Sequence, residues 1–252
     1  MIHLVIDRGN SACKWAFFEF DETHPDVTEE PLEVITTVSG DMLPDKYFEI
    51  YQPQAGIYAS VGPADAAFVD ALRRRIPHFF VYGLHMKMPI RNAYQSPATL
   101  GLDRLAAAVG AWTLAPGKAS LIIDMGTAIT YDFMSADGVY QGGNIAPGIW
   151  LRLKVLHEET SALPLVEAQA DFLPMGVDTQ SAIRAGVMQG IWHEVEGYLR
   201  QYHQIDENLT CFLTGGDISY FESRIKKPIF ARKNLVLIGL NRILYDNVQE
   251  SL

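Results

Sequence analysis

The chain of 252 residues is short of cysteine, short of positive charge and without a long apolar run, and each shortage closes off a class of protein. Its two cysteines, Cys13 and Cys211, stand far apart and form no Cys-x-x-Cys spacing. A disulfide framework and a thiolate zinc site are therefore not indicated, and buried free thiols are expected. Lys and Arg number 20 against 30 Asp and Glu, for a formal net charge of -10. Such a field repels phosphates, so neither nucleic acid nor an anionic membrane is an expected partner. No stretch approaches the roughly 20 apolar residues of a membrane-crossing helix. The opening Met1-Ile2-His3-Leu4-Val5-Ile6-Asp7 meets a carboxylate too early for a secretory apolar region and has no basic lead-in, so a cytoplasmic protein is expected. Neither Gly-x-x-x-x-Gly-Lys-Ser/Thr nor Gly-x-Gly-x-x-Gly occurs, which leaves any nucleotide site to another scaffold.

What is present is the composition of a folded globular chain, 48% hydrophobic and 20% charged, long enough for two cores. The turn Ala115-Pro116-Gly117-Lys118 marks a boundary, predicting domains over 1–115 and 116–252. The two halves echo one another. Leu4-Val5-Ile6-Asp7-Arg8-Gly9-Asn10-Ser11 and Leu121-Ile122-Ile123-Asp124-Met125-Gly126-Thr127-Ala128 share a pattern. In each, a strand-like apolar run ends in Asp-x-Gly and resumes as a second run, Trp15-Ala16-Phe17-Phe18 or Tyr131-Asp132-Phe133-Met134, which reads as a β-hairpin.

Asp21 to Glu33 reads as an acidic surface connection and Ala55 to Val61 as a buried strand. A helix follows, signalled by Pro63 and Asp65, with Ala67, Phe68, Ala71 and Leu72 as its apolar face and Arg73-Arg74-Arg75 at its carboxyl end. A buried helix is expected over Leu105 to Leu114, opening just after Gly101-Leu102-Asp103-Arg104. A long one is expected over Thr179 to His203, where Ile183, Val187, Ile191, Val195 and Leu199 recur every four residues. Leu209 to Leu213 reads as a strand running into Thr214-Gly215-Gly216-Asp217 and a helix over Ile218 to Ile225. Leu235 to Leu240 with Ile243 and Leu244 reads as a buried terminal helix. Strands mixed with helices in two similar halves give an α/β class.

Paired Asp-x-Gly hairpins make chemical sense around nucleotide phosphates. Glycine lets the backbone approach an anion and present its amides, while Asp7 and Asp124 beside phosphate imply intervening cations. One such turn alone is more often an ordinary turn; the duplication reverses the balance. Lys14, on the returning strand, reads equally as a phosphate contact or a solvated lysine. Asp103 and Arg104 at a helix start suit an acceptor substrate, with Asp taking a hydroxyl proton and Arg gripping a carboxylate; an ordinary helix-end ion pair fits the same spacing.

The series Asp7-x-Gly9-Asn10-Ser11-x-x-Lys14, Gly101-x-Asp103-Arg104, Asp124-x-Gly126-Thr127-Ala128-x-Thr130-x-Asp132, Gly142-Gly143-x-Ile145-x-Pro147-Gly148 and Thr214-Gly215-Gly216 resembles the type III pantothenate kinases over nearly the whole chain. That resemblance implies two similar actin-like (ribonuclease H-like) domains, with mixed sheets flanked by helices. It implies phosphorylation of the primary hydroxyl of pantothenate by ATP, the first step of coenzyme A synthesis, in a homodimer. Mg2+ with ATP and a monovalent cation, K+ or NH4+, are the implied cofactors.

Residue by residue, the resemblance implies that Asp7, Arg8, Gly9, Asn10, Ser11, Ala12, Cys13 and Lys14 cradle the ATP phosphates, with Asp7 also meeting the divalent ion through water. Asp103 is the implied proton acceptor, and Tyr94, Gly101, Leu102, Asp103, Arg104 and Thr179 the implied pantothenate contacts. Asp124 takes the monovalent cation, Thr127 touches ATP, and Gly215 and Gly216 border the adenosine. Ser11 stands for the family's usual threonine and keeps its hydroxyl. Ile129 stands where a second threonine is frequent, which weakens one phosphate contact, and Arg8, at a commonly apolar position, either pairs with Asp7 or leans into solvent. Another small-molecule kinase of the same superfamily and a non-catalytic regulatory relative are the competing expectations.

Overall fold

The computed structural model describes residues 1–9, 12–20, 30–62, 64–226 and 229–249. In chain order its elements begin with β1 Ile2–Arg8, β2 Ala12–Glu19, β3 Glu33–Val38, α1 Asp45–Tyr51, β4 Ala55–Ser60, α2 Ala66–Arg73, β5 His78–Val81, β6 Arg91–Asn92 and α3 Leu102–Leu114. They continue with β7 Ser120–Met125, β8 Ala128–Met134, β9 Val139–Pro147, α4 Ile149–Glu158, α5 Thr179–His203, β10 Thr210–Thr214, β11 Ile229–Ala231 and α6 Leu235–Val248. This is an α/β fold of the actin-like kind, with two mixed sheets flanked by helices.

The repeat seen in the sequence is a repeat of topology. The first sheet runs β3-β2-β1-β4-β5 and the second β11-β10-β7-β8-β9-β6. In each, an antiparallel hairpin, β1 with β2 or β7 with β8, continues through parallel neighbours, β4 and β5 or β10 and β11. Both hairpins arise for the same reason: β-branched and aromatic runs fit a half-buried pleat, and a glycine permits the reversal.

The chain divides into two compact units, one of Met1–Gly117, Gly138–Tyr140 and Asn234–Leu252, the other of Lys118–Asp137 and Gln141–Lys233. The core of the first gathers Leu4, Ile6, Trp15, Phe17, Tyr58 and Leu72, and that of the second Leu121, Ile123, Tyr131, Met188, Ile191 and Leu213. A single cut after residue 115 does not describe this division, because α6 returns to the first unit. It does so against α3: a Cβ on Gly239 would strike the Ala106 carbonyl, and one on Gly110 the Leu235 carbonyl, so the two backbones lie in direct contact. Short β6 pairs in parallel with Val139 and Tyr140, which count with the first unit.

Several expectations shift by a turn or less. α2 is capped by the Asp65 side chain, which accepts from the Ala67 and Phe68 amides, and it buries Phe68, Val69 and Leu72. Ala67 is exposed rather than buried, since the inward row is 68, 69 and 72. α3 opens earlier than expected, placing Leu102, Asp103 and Arg104 inside its first turn. The helix expected after β10 is a 3-10 helix, Gly216–Arg224. α5 keeps its expected bounds and buries Ile183, Val187, Ile191 and Val195 along one face. Asn10, Ser11, Pro63 and residues 21–29 lie outside the described residues.

Candidate functional site

In the first unit, β1, β4 and β5 run parallel, so their carboxyl ends share one edge of the sheet. That edge is where open α/β sheets receive ligands. Asp7, near the end of β1, stands opposite Lys14 on β2 and Ala59 on β4. A cavity of about 400 Å³ opens there, lined by Asp7, Ser60, Tyr82, Gly101, Leu102 and Asp103, with Val236 and Leu240 contributed by α6. Its volume is in the range of small-molecule sites.

Burial pushes the Asp7 carboxyl above its ordinary value; Lys14 pulls it down and the Asp103 charge pushes it up again. A carboxylate held so is poised to gain a cation, because a nearby positive charge offsets the desolvation. Asp103 sits in the first turn of α3, where the helix dipole favours negative charge, and its Oδ1 accepts the Arg104 amide hydrogen at 2.8 Å. Arg104 is only 6% exposed, and its guanidinium lies 5.8 Å from the centre of the Tyr94 ring, a cation–π contact that fixes its orientation.

The remaining first-unit residues divide. The Gly9 amide donates to the Ala12 carbonyl at 2.9 Å, closing the β1–β2 turn. Arg8 does not pair with Asp7. It donates to Ser39 Oγ and to the Tyr58 hydroxyl, each at 3.3 Å, and lies over the Phe68 ring. The alternation of a strand turns neighbouring side chains to opposite faces, which parts Arg8 from Asp7. Cys13 is buried, and its thiol is pushed up to about 12, first by burial and then by Asp7, so it offers no thiolate at neutral pH.

In the second unit, Asp124 stands opposite Thr214 of β10 and Thr130 of β8. The hairpin closes through the Gly126 amide and the Ala128 carbonyl at 3.1 Å, and the carbonyl of Thr127 at its tip accepts from the Gly148 amide at 2.9 Å. Gly215, at φ 99°, rests against the backbone of Met125, where a Cβ would collide with the carbonyl. The end of β10 therefore joins the β7–β8 turn, bringing Asp124, Thr127, Gly215 and Gly216 into one neighbourhood. Ile129 is 1% exposed and belongs to the core with Tyr131 and Phe133. Its side chain faces inward. Thr179 opens α5, whose amino end is closed by a reciprocal Asp178–Ser181 cap. It lines an apolar groove of about 770 Å³ with Leu151, Val155, Ile183 and Val187.

Among the described residues no cluster of three or more His, Cys, Asp or Glu could hold a metal by itself. Mg2+ does not need one: it keeps waters and substrate phosphates and uses one or two carboxylates. Asp7 and Asp103, on one cavity, fit that donor set. Ser60, Tyr82, Val236 and Leu240 were not singled out from the sequence. The end of a buried strand could have flagged Ser60, whereas nothing local marks the other three.

Known proteins resemble the chain over most of its length. A family model described as type III pantothenate kinase matches residues 3–201. The chain is 42% identical over 247 residues to a type III pantothenate kinase of Azobacteroides pseudotrichonymphae genomovar. CFP2, covering 96% of each chain. It is 42% identical over 249 residues to a type III pantothenate kinase of Bacteroides fragilis (strain YCH46), covering 98% of this chain and 99% of that one. Among solved structures, the activator of the 2-hydroxyisocaproyl-CoA dehydratase from Clostridium difficile with bound ADPNP shares the fold, with a TM-score of 0.52 at 12% identity over 100% of this chain and 97% of that one.

Proposed function

The chain belongs to the type III pantothenate kinase family, and on that premise we propose that Asp7, Asp103 and Arg104 carry its transfer of phosphate from ATP to pantothenate. The observation behind this is the shared cavity: two carboxylates at the sheet's carboxyl edge, with a buried arginine following directly on the second. The primary hydroxyl of pantothenate attacks the γ-phosphorus, an O–P bond forms, the bond to the β-phosphate oxygen breaks, and ADP leaves. Asp103 accepts the hydroxyl proton, and Arg104, held on Tyr94, meets the substrate carboxylate. The Asp7 to Lys14 segment supplies backbone amides and the Lys14 ammonium to the phosphates. Magnesium bound with ATP, near Asp7, supplies neutralisation of charge on the transferring group.

The monovalent cation is assigned to Asp124, a nucleotide contact to Thr127, and the adenosine border to Gly215 and Gly216. Thr179 is a further pantothenate contact, and the chain works as a homodimer; the exposed Leu151 and Val155 of the apolar groove are available for association. Among the described residues no helix is long and apolar enough to cross a membrane; the proposed place of this step of coenzyme A synthesis is the cytoplasm. A coupled assay with pantothenate, ATP and magnesium, run with potassium and then with sodium alone, tests the assignment. Phosphopantothenate should form, faster with potassium. No product at saturating substrate would remove the proposal, and equal rates in the two salts would remove the role given to Asp124.

A further inference from the structure

Tyr82 follows directly on β5 and continues its line, its amide donating to the Tyr58 carbonyl at 2.8 Å. It thereby reaches the same carboxyl edge as Asp7 and Ser60, and the three line one cavity with Asp103. The residue is 5% exposed, and its hydroxyl is buried with no hydrogen-bond partner. A buried hydroxyl without a partner is unusual in a folded protein, because folding strips it of water and returns nothing. An ordinary core position would hold Phe at no loss. A polar atom kept here despite the cost points to a partner that arrives with the substrate.

We infer that the Tyr82 hydroxyl donates a hydrogen bond to bound pantothenate and so orients the primary alcohol toward Asp103; this rests on the kinase reading of the cavity. The bond goes to a polar group of the substrate other than the attacking oxygen, whose lone pair must stay free for phosphorus. Burial, with the Asp103 charge second, raises the hydroxyl's pKa, so Tyr82 remains a donor and does not compete for the proton that Asp103 accepts. The hydroxyl is shielded from water in the free protein, and it meets the substrate through the small side-chain adjustments that accompany binding. Tyr82 is in this sense a specificity determinant: a site that buries an unpaired donor discriminates against any alcohol that leaves it unpaired.

The test is Tyr82→Phe, compared with wild type for steady-state kinetics and thermal melting. One neutral hydrogen bond predicts kcat/KM for pantothenate lower by roughly five- to tenfold, with KM for ATP unchanged. Because the fold gives that hydroxyl no partner, the melting temperature should stay level or rise. Wild-type kinetics in the variant, or a fall in melting temperature that marks the hydroxyl as structural, overturns the inference while leaving pantothenate phosphorylation intact. A wild-type chain that makes no phosphopantothenate overturns the functional reading and this inference with it.

Discussion

The Asp103 carboxylate fills the space beside Gly101: its Oδ1 lies 2.6 Å from the point where a Cβ on Gly101 would stand. The glycine is not required by its backbone, whose φ of -58° any residue adopts. What a side chain there would meet is the neighbour folded over it. Gly101→Ala should therefore leave α3 in place and push the carboxylate aside. A displacement of about 1 Å at a reacting group lowers turnover by on the order of 10- to 100-fold. Measurement of kcat together with the melting temperature checks this; a stable variant with wild-type turnover would show that Asp103 relaxes without consequence.

Asp103→Asn keeps the shape of the side chain and its acceptor oxygen for the Arg104 amide but removes the base. Loss of a positioned general base costs roughly 10²- to 10⁴-fold in rate. Binding of ATP, read by calorimetry, should change little. Turnover within a few fold of wild type would reassign the proton acceptor.

Asp7 links function to stability through pH. Its pKa in the folded chain is above the ordinary 3.8, chiefly because it is buried. Between the two values the folded protein holds a proton that the unfolded chain has released, so stability is fully present below about pH 4 and falls as pH rises through the folded value. Asp7→Asn removes that cost. Without magnesium or ATP, its melting temperature should exceed that of wild type at pH 7, by a margin that shrinks toward pH 4, while activity is lost. A margin constant across pH would mean that Asp7 ionisation is not the source.

Gly239→Ala sets a methyl group against the Ala106 carbonyl of α3. Overpacking of this kind costs about 1–3 kcal/mol where side chains can yield, and here the obstacle is backbone. A marked fall in the midpoint of denaturant unfolding is expected, with reduced activity, since Val236 and Leu240 of the same helix line the cavity. An unchanged midpoint would mean that the two helices separate at no cost.

Local pattern carried much of the architecture. The two hairpins, the buried strand β4, the capped helix α2 and the whole of α5 follow from periodicity, a capping aspartate and glycine turns, all of which act within a few residues. Elements such as α1, with no buried residue, and two-residue β6 leave too little periodic signal to be seen. The position of Ile129 shows the limit from the other side: a residue that the family resemblance sets at a phosphate-facing position is assigned to the core by strand alternation.

Sequence alone determined which residues could do chemistry: Asp7, Asp103, Arg104 and Asp124 stand in patterns whose residue types suit phosphate, proton and carboxylate. It also determined the duplication, because two like segments fold into two like sheets. Only the tertiary structure decided what surrounds them. That α6 returns to the first unit, that Arg8 turns away from Asp7, and that Tyr82 brings an unpaired hydroxyl to the cavity of Asp103 all depend on contacts between segments far apart in the chain. Close packing selects such contacts collectively, and no short window of sequence contains them.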